Sequence, residues 1–124
     1  MNVRIKDVDT LDTEIYKALS DESRLRIINI LLQRELCVCE IESVLGMSQT
    51  NVSRHLNKLK QTGIVVSKKE SQWAYYRMSE AFIENNLSLV AHLRSKFCLS
   101  EELLRDVDKI IALHELCHQP GGSK

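Results

Sequence analysis

Cys37 and Cys39 stand two residues apart in the run Glu35-Leu36-Cys37-Val38-Cys39-Glu40. Thiolates are soft donors that favour soft or borderline ions, so this pair is a candidate site for a thiophilic guest. On a regular helix two residues subtend about 200°, which sends the sulfurs to opposite sides. Both reach one ion only if the helix start is unwound there. Cys98 and Cys117 are the other thiols of the chain. They are candidate additional donors, although either also suits the role of a small core hydrophobe. His114, Cys117 and His118 recur at i, i+3 and i+4, one face of a helix, and that spacing can hold a second, zinc-like ion.

The elements around the thiols decide what such a guest would control. Leu11, Ile15, Ala18 and Leu19 recur at helical spacing, predicting a first helix over Val8–Leu19. Ser20 or Asp21 caps a second helix over Glu22–Arg34, with Leu25, Ile28, Leu31 and Leu32 on its apolar face. A short third helix spans Cys37–Leu45. Gly46 follows it, as suits the left-handed residue after a helix end. Ser48 caps a fourth helix that reaches Thr62 and closes at Gly63. Helix, short glycine turn and helix is the helix-turn-helix pattern.

From Ile64 the period changes to two. Ile64–Lys69 and Trp73–Met78 flank the polar tip Glu70-Ser71-Gln72 as a two-stranded β wing. Two helices over residues 80–118 close the chain, one with a stripe of Phe82, Ile83, Leu87, Val90, Leu93 and Phe97, the other capped by Ser100. The chain reads as mainly α, a single winged helix-turn-helix domain over residues 1–124. Its N-terminal helices lie at 8–34, the helix-turn-helix at 37–62, the wing at 64–78 and the terminal helices at 80–118. Two apolar stripes exceed what one small winged helix buries, which predicts a homodimer.

The fourth helix can turn Val52, Leu56 and Leu59 inward. Thr50, Arg54, Asn57 and Gln61 then face outward, flanked by Gln49, Ser53 and Lys58. Arginine pairs with guanine through two bonds, and Asn or Gln does so with adenine. The first turn of such a helix enters the major groove, so Gln49, Thr50, Ser53 and Arg54 are the expected base readers, with Asn57 beside them. Lys58, Lys68 and Lys69 are placed for phosphates. His55, beside the inward face, is expected to be a packing histidine.

Charge agrees with double-stranded DNA as the partner. Formal net charge is zero, yet residues 49–78 carry six Lys or Arg against Glu70 alone, between acidic flanks. Such a basic island draws a polyanion to one face. No stretch approaches the roughly 20 apolar residues that span a bilayer, and the first residues lack the apolar run of a signal peptide. No membrane partner and a cytoplasmic location are therefore expected. Thiols stay reduced there. No phosphate loop or catalytic triad is recognisable, and no βαβ pattern surrounds the Cys-x-Cys pair, so the chain does not read as an enzyme.

The Glu35-to-Glu40 run, Ser53-Arg54-His55-Leu56 and the wing Trp73-Ala74-Tyr75-Tyr76-Arg77 together resemble the ArsR/SmtB family of metal-sensing repressors, nearest its arsenic-responsive branch. The similarity covers roughly Leu11 to Leu93. It implies a homodimeric repressor of a metal-resistance operon, released from its operator when As(III) or Sb(III) binds. It also implies that Cys37 and Cys39 are metal-binding thiols. Where the arsenic motif has a third cysteine, this chain has Glu42, so a third donor must come from Cys98, Cys117 or a small cellular thiol, unless two thiolates suffice. The cadmium/lead branch adds cysteines near the N-terminus, and none precedes Cys37. Another thiophilic ion (Cd, Pb or Zn) and a thiol-redox or persulfide signal are the alternatives, together with a metal-blind DNA-binding protein.

Overall fold

Caps set where the helices begin. The computed structural model of the chain describes residues 13–117, with side chains through Leu113. Helix α1, Thr13–Leu19, is the described part of the expected first helix; residues 8–12 lie outside the described residues. Helix α2, Glu22–Leu31, starts at Asp21, whose carboxylate accepts the Arg24 N–H at 3.0 Å. It ends three residues short of the expected Arg34. The Leu32 and Gln33 amides close its last turn on Ile28 and Ile30 carbonyls.

The early end frees the chain for strand β1, Leu36–Cys37. Sequence reasoning missed this strand and placed Cys37 inside the third helix. Two residues carry no detectable period, and only pairing with a distant strand defines them. Helix α3, Val38–Leu45, begins after Cys37 and ends at Gly46 with φ of 68°, the left-handed conformation expected of a glycine cap. Helix α4, Gln49–Gln61, starts at Ser48, whose hydroxyl accepts the Asn51 N–H at 3.2 Å.

Strands β2, Val65–Glu70, and β3, Trp73–Met78, form the wing hairpin. Glu70 pairs with Trp73, so the turn is Ser71-Gln72 alone. The sheet is antiparallel with order β1-β3-β2, three strands where the sequence predicts two. Leu36 and Cys37 lie opposite Tyr76 and Tyr75.

Three helices follow, not two. The expected single stripe breaks at Asn86, whose φ of −138° and ψ of 44° end α5, Glu80–Asn85, and start α6, Leu87–Phe97. The Asn86 side chain donates to the Phe82 carbonyl at 2.9 Å, a local bond that competes with the helical ladder. Helix α7, Glu101–Cys117, begins with Ser100 accepting the Leu103 N–H.

One core joins these elements. Ile27, Ile28, Ile30, Leu36, Ile41, Leu56, Leu59 and Ile64 are fully buried. Burying each such side chain stabilises by about 1.5–3 kcal/mol. Val52, Leu56 and Leu59 are the buried apolar side chains of α4, so its outward face is fixed by the core beneath it. Helix α7 is tied to α2 by Arg26, which makes two 2.9 Å bonds to the Asp106 carboxylate. No helix among the described residues is long and apolar enough to cross a membrane.

Candidate ligand site and nucleic-acid interface

The two sulfurs meet. Sγ of Cys37 lies 2.9 Å from Sγ of Cys39. The unwinding that the pair requires is already present, because Cys37 is the last residue of β1 and the N-cap of α3, with φ of −87° and ψ of 163°. One sulfur leaves an extended residue and the other leaves the first helical turn. Glu40 holds this junction: its carboxylate accepts the Cys37 N–H at 2.9 Å, the reciprocal bond of a capping box.

The sulfurs differ in setting. Cys37 is only 2% exposed, whereas Cys39 faces solvent. Burial, and then the hydrogen bond with Cys39, pushes the Cys37 thiol up to about 12. Near neutral pH it is a thiol, and a guest must displace its proton. That favours ions whose bonds to sulfur are strong. Tyr75, opposite Cys37 in the sheet, has its hydroxyl pushed up, first by burial and also by the nearby Glu40 carboxylate. It belongs to the surroundings of the thiols, and sequence reasoning missed it. Its place in β3 is visible from the wing alternation, but its register against β1 is not.

The donor set fits a soft guest with two sulfurs. Among the described residues no three His, Cys, Asp or Glu side chains converge to hold an ion, so Cys98 does not join the pair within one protomer. Cys98 is no core hydrophobe either. It is exposed at the end of α6, where no core element covers it, and its thiol donates to the Ser95 carbonyl at 3.2 Å. The side chains of His114 and Cys117, and all of His118, lie outside the described residues.

The candidate DNA-facing residues share one side of the molecule's fourth helix. Gln49, Thr50, Arg54 and Asn57 are exposed, and Ser53 and Lys58 are half-buried. Arg54 donates to the Asn51 side chain at 3.2 Å, which steadies the guanidinium on the exposed face. Lys58 lies 3.6 Å from Glu14. On the wing, Lys68 is engaged by Glu70 at 3.3 Å and Glu35 at 3.6 Å, and Lys69 is exposed. His55 is buried against Arg24 as a packing histidine.

Comparison with known proteins matches residues 21–67 to the family described as bacterial regulatory protein, arsR family. The arsenical resistance operon repressor of Escherichia coli is 40% identical over 70 residues, 56% of this chain and 60% of that protein. The cadmium resistance transcriptional regulatory protein CadC of Listeria innocua is 38% identical over 82 residues, 65% of this chain and 69% of that one. In structure, the chain resembles the homodimeric winged helix-turn-helix DNA-binding domain of a possible ArsR-family transcriptional regulator from Mycobacterium bovis. That likeness has a TM-score of 0.62 and 30% identity, covering 73% of this chain and 85% of the other. The chain thus spans about three fifths of the length of the Escherichia coli relative.

Proposed function

Because this chain belongs to the arsR family of bacterial regulatory proteins, we propose that it represses a metalloid-resistance operon and releases its operator when As(III) or Sb(III) is captured by Cys37 and Cys39. One observation carries the reading. The two thiols are 2.9 Å apart at the β1–α3 junction, one short helix ahead of the helix whose outward face is polar and basic.

The protein acts as a homodimer, as the Mycobacterium bovis domain is described to be, and two protomers match two operator half-sites. Gln49, Thr50, Ser53, Arg54 and Asn57 read bases. Lys58, Lys68 and Lys69 hold phosphates. Capture of the guest favours a form with a distorted β1–α3 junction. A roughly 100-fold preference of the guest for that form shifts operator binding by about 2.7 kcal/mol.

The test is titration of arsenite, Cd(II), Zn(II) and an oxidant against a labelled operator, with Cys37→Ser and Cys39→Ser in parallel. Release by arsenite that disappears in both variants is the expected result. Release by Cd(II) at lower concentration reassigns the inducer, consistent with the name of the Listeria relative. Undiminished release by arsenite in a variant carrying both Cys37→Ser and Cys39→Ser overturns the reading.

A further inference from the structure

The thiol pair is tied to the wing by pairing as well as by chain continuity. Strand β1 is the edge of the sheet, and Cys37 lies opposite Tyr75 of the central strand β3. Tyr75 in turn lies opposite Lys68 of β2. Directly opposed residues share a face of the sheet, with β-carbons about 4.5–5.5 Å apart. Cys37, Tyr75 and Lys68 therefore form one row across the wing. Glu35, two residues before Cys37, reaches over the same row to Lys68 at 3.6 Å.

Capture bears on this row through Cys37. If the guest's bonds to sulfur are about 2.3 Å long, as zinc's are, even a right angle at the guest would set two sulfurs about 3.3 Å apart. The present separation is 2.9 Å, so the sulfurs must part. Cys39 faces solvent and can swing, but a guest bonded to Cys37 needs room beside a sulfur that is almost wholly covered. The half-buried Tyr75 side chain lies across the ladder on that same face.

We propose that Tyr75 is a positioning residue that carries capture at the thiols into the wing: the guest displaces the Tyr75 ring, β3 shifts, and the wing loses its seat on DNA. The inference rests on Cys37 and Cys39 being the ligand site, as argued above. The Glu35–Lys68 pair is partly exposed, and exposed ion pairs contribute little, so the ring and the ladder carry most of the effect. Trp73 and Lys69 sit at the far end of the hairpin, where a shift of β3 is felt most.

Trp73 is the chain's single tryptophan and lies two residues from Tyr75 on β3, so it reports on the wing. The experiment adds arsenite to the full chain without DNA. It follows the near-ultraviolet arsenic–thiolate absorbance, Trp73 emission and hydrogen exchange of the β2 and β3 amides. In the wild type and in Tyr75→Phe, all three should change together and saturate at the same arsenite concentration. In Tyr75→Ala the absorbance should persist, the Trp73 response should vanish, and the arsenite-driven loss of operator affinity should shrink at least tenfold. Hydrogen exchange in the wild type stands independently if Tyr75→Ala folds poorly. Absorbance that saturates while Trp73 and the wing amides stay unmoved overturns the proposal and leaves the thiol site intact. A folded Tyr75→Ala protein that couples like the wild type overturns the role of Tyr75. No arsenic–thiolate absorbance at all sinks this proposal and the parent reading together.

Discussion

Arg24 Nη1 lies 3.3 Å from Nδ1 of His55, linking α2 to the buried side of the fourth helix. The same guanidinium donates from Nε to the Ala18 carbonyl at 2.7 Å, so one side chain closes the end of α1 and braces α4. For Arg24 to donate to Nδ1, the ring proton sits on Nε2. Burial holds His55 below its ordinary value, opposed by the Asp21 carboxylate and helped by the charges of Arg54 and Arg24. The unfolded chain therefore takes up this proton first as pH falls. The stability contributed by a neutral His55 is complete above the ordinary histidine value of about 6.5 and is lost as pH falls through it toward the lower folded value. The urea midpoint should be higher at pH 7.5 than at pH 5.5, with a smaller difference in His55→Gln. An unchanged difference in that variant would reject the assignment.

Asp106 is 1% exposed and accepts both bonds from Arg26. Removing one partner of a buried pair strands the other charge and costs about 3–5 kcal/mol. Asp106→Ala should fall toward that range in urea unfolding, moderated because Arg26 also has Glu102 at 3.7 Å. A loss under about 1 kcal/mol, the range of exposed pairs, would mean that this bridge does not hold α7 to α2.

Ser71 has φ of 62°, the one positive value among the described non-glycine residues. It occupies the first position of a two-residue hairpin turn, where glycine is favoured because a β-carbon crowds the backbone. The left-handed region costs an ordinary residue about 1–2 kcal/mol, partly offset by glycine's greater freedom in the unfolded chain. Ser71→Gly should raise the melting temperature modestly, while Ser71→Val should lower it. A reversed order in thermal unfolding would show that the turn is set by something other than backbone sterics.

The legible parts of the fold are those with local signals. Ser48 and Gly63 bracket α4, Val52, Leu56 and Leu59 give its period, and the alternation read from Ile64 gives the wing, whose first strand starts one residue later at Val65. What stayed hidden depends on residues far apart in the chain. Strand β1 exists because Leu36 meets Tyr76, forty residues later. Arg26 and Asp106 are 80 residues apart. The approach of the two sulfurs was hidden for a subtler reason. Helical periodicity made Cys37 the first residue of the helix, whereas it is the extended residue before it. The signal that finds this is Glu40, three residues on, at capping-box spacing.

Base and phosphate contacts should separate by mutation. Arg54→Ala should remove about 1–3 kcal/mol of discrimination at one base pair, seen as operator preference lost in competition with random DNA. Lys69→Ala should weaken all DNA alike and lower the salt slope by about one. Lys68→Ala should cost less than Lys69→Ala, because Lys68 must first leave Glu35 and Glu70. A larger loss for Lys68 would place it closer to phosphate than its ion pairs suggest.

A trivalent arsenical carrying one carbon substituent has two exchangeable positions and needs two thiolates, whereas arsenite has three. Within one protomer the described residues offer the pair Cys37 and Cys39 with no converging third donor. Its open side is the exposed Cys39. A phenyl arsenical should therefore release the operator at concentrations equal to or below those of arsenite. Cys98→Ser should leave the phenyl arsenical response unchanged. Added small thiol should strengthen arsenite alone, by supplying its third sulfur. If arsenite is instead at least tenfold more potent, and Cys98→Ser removes that advantage, a third protein thiolate completes the site from the partner protomer.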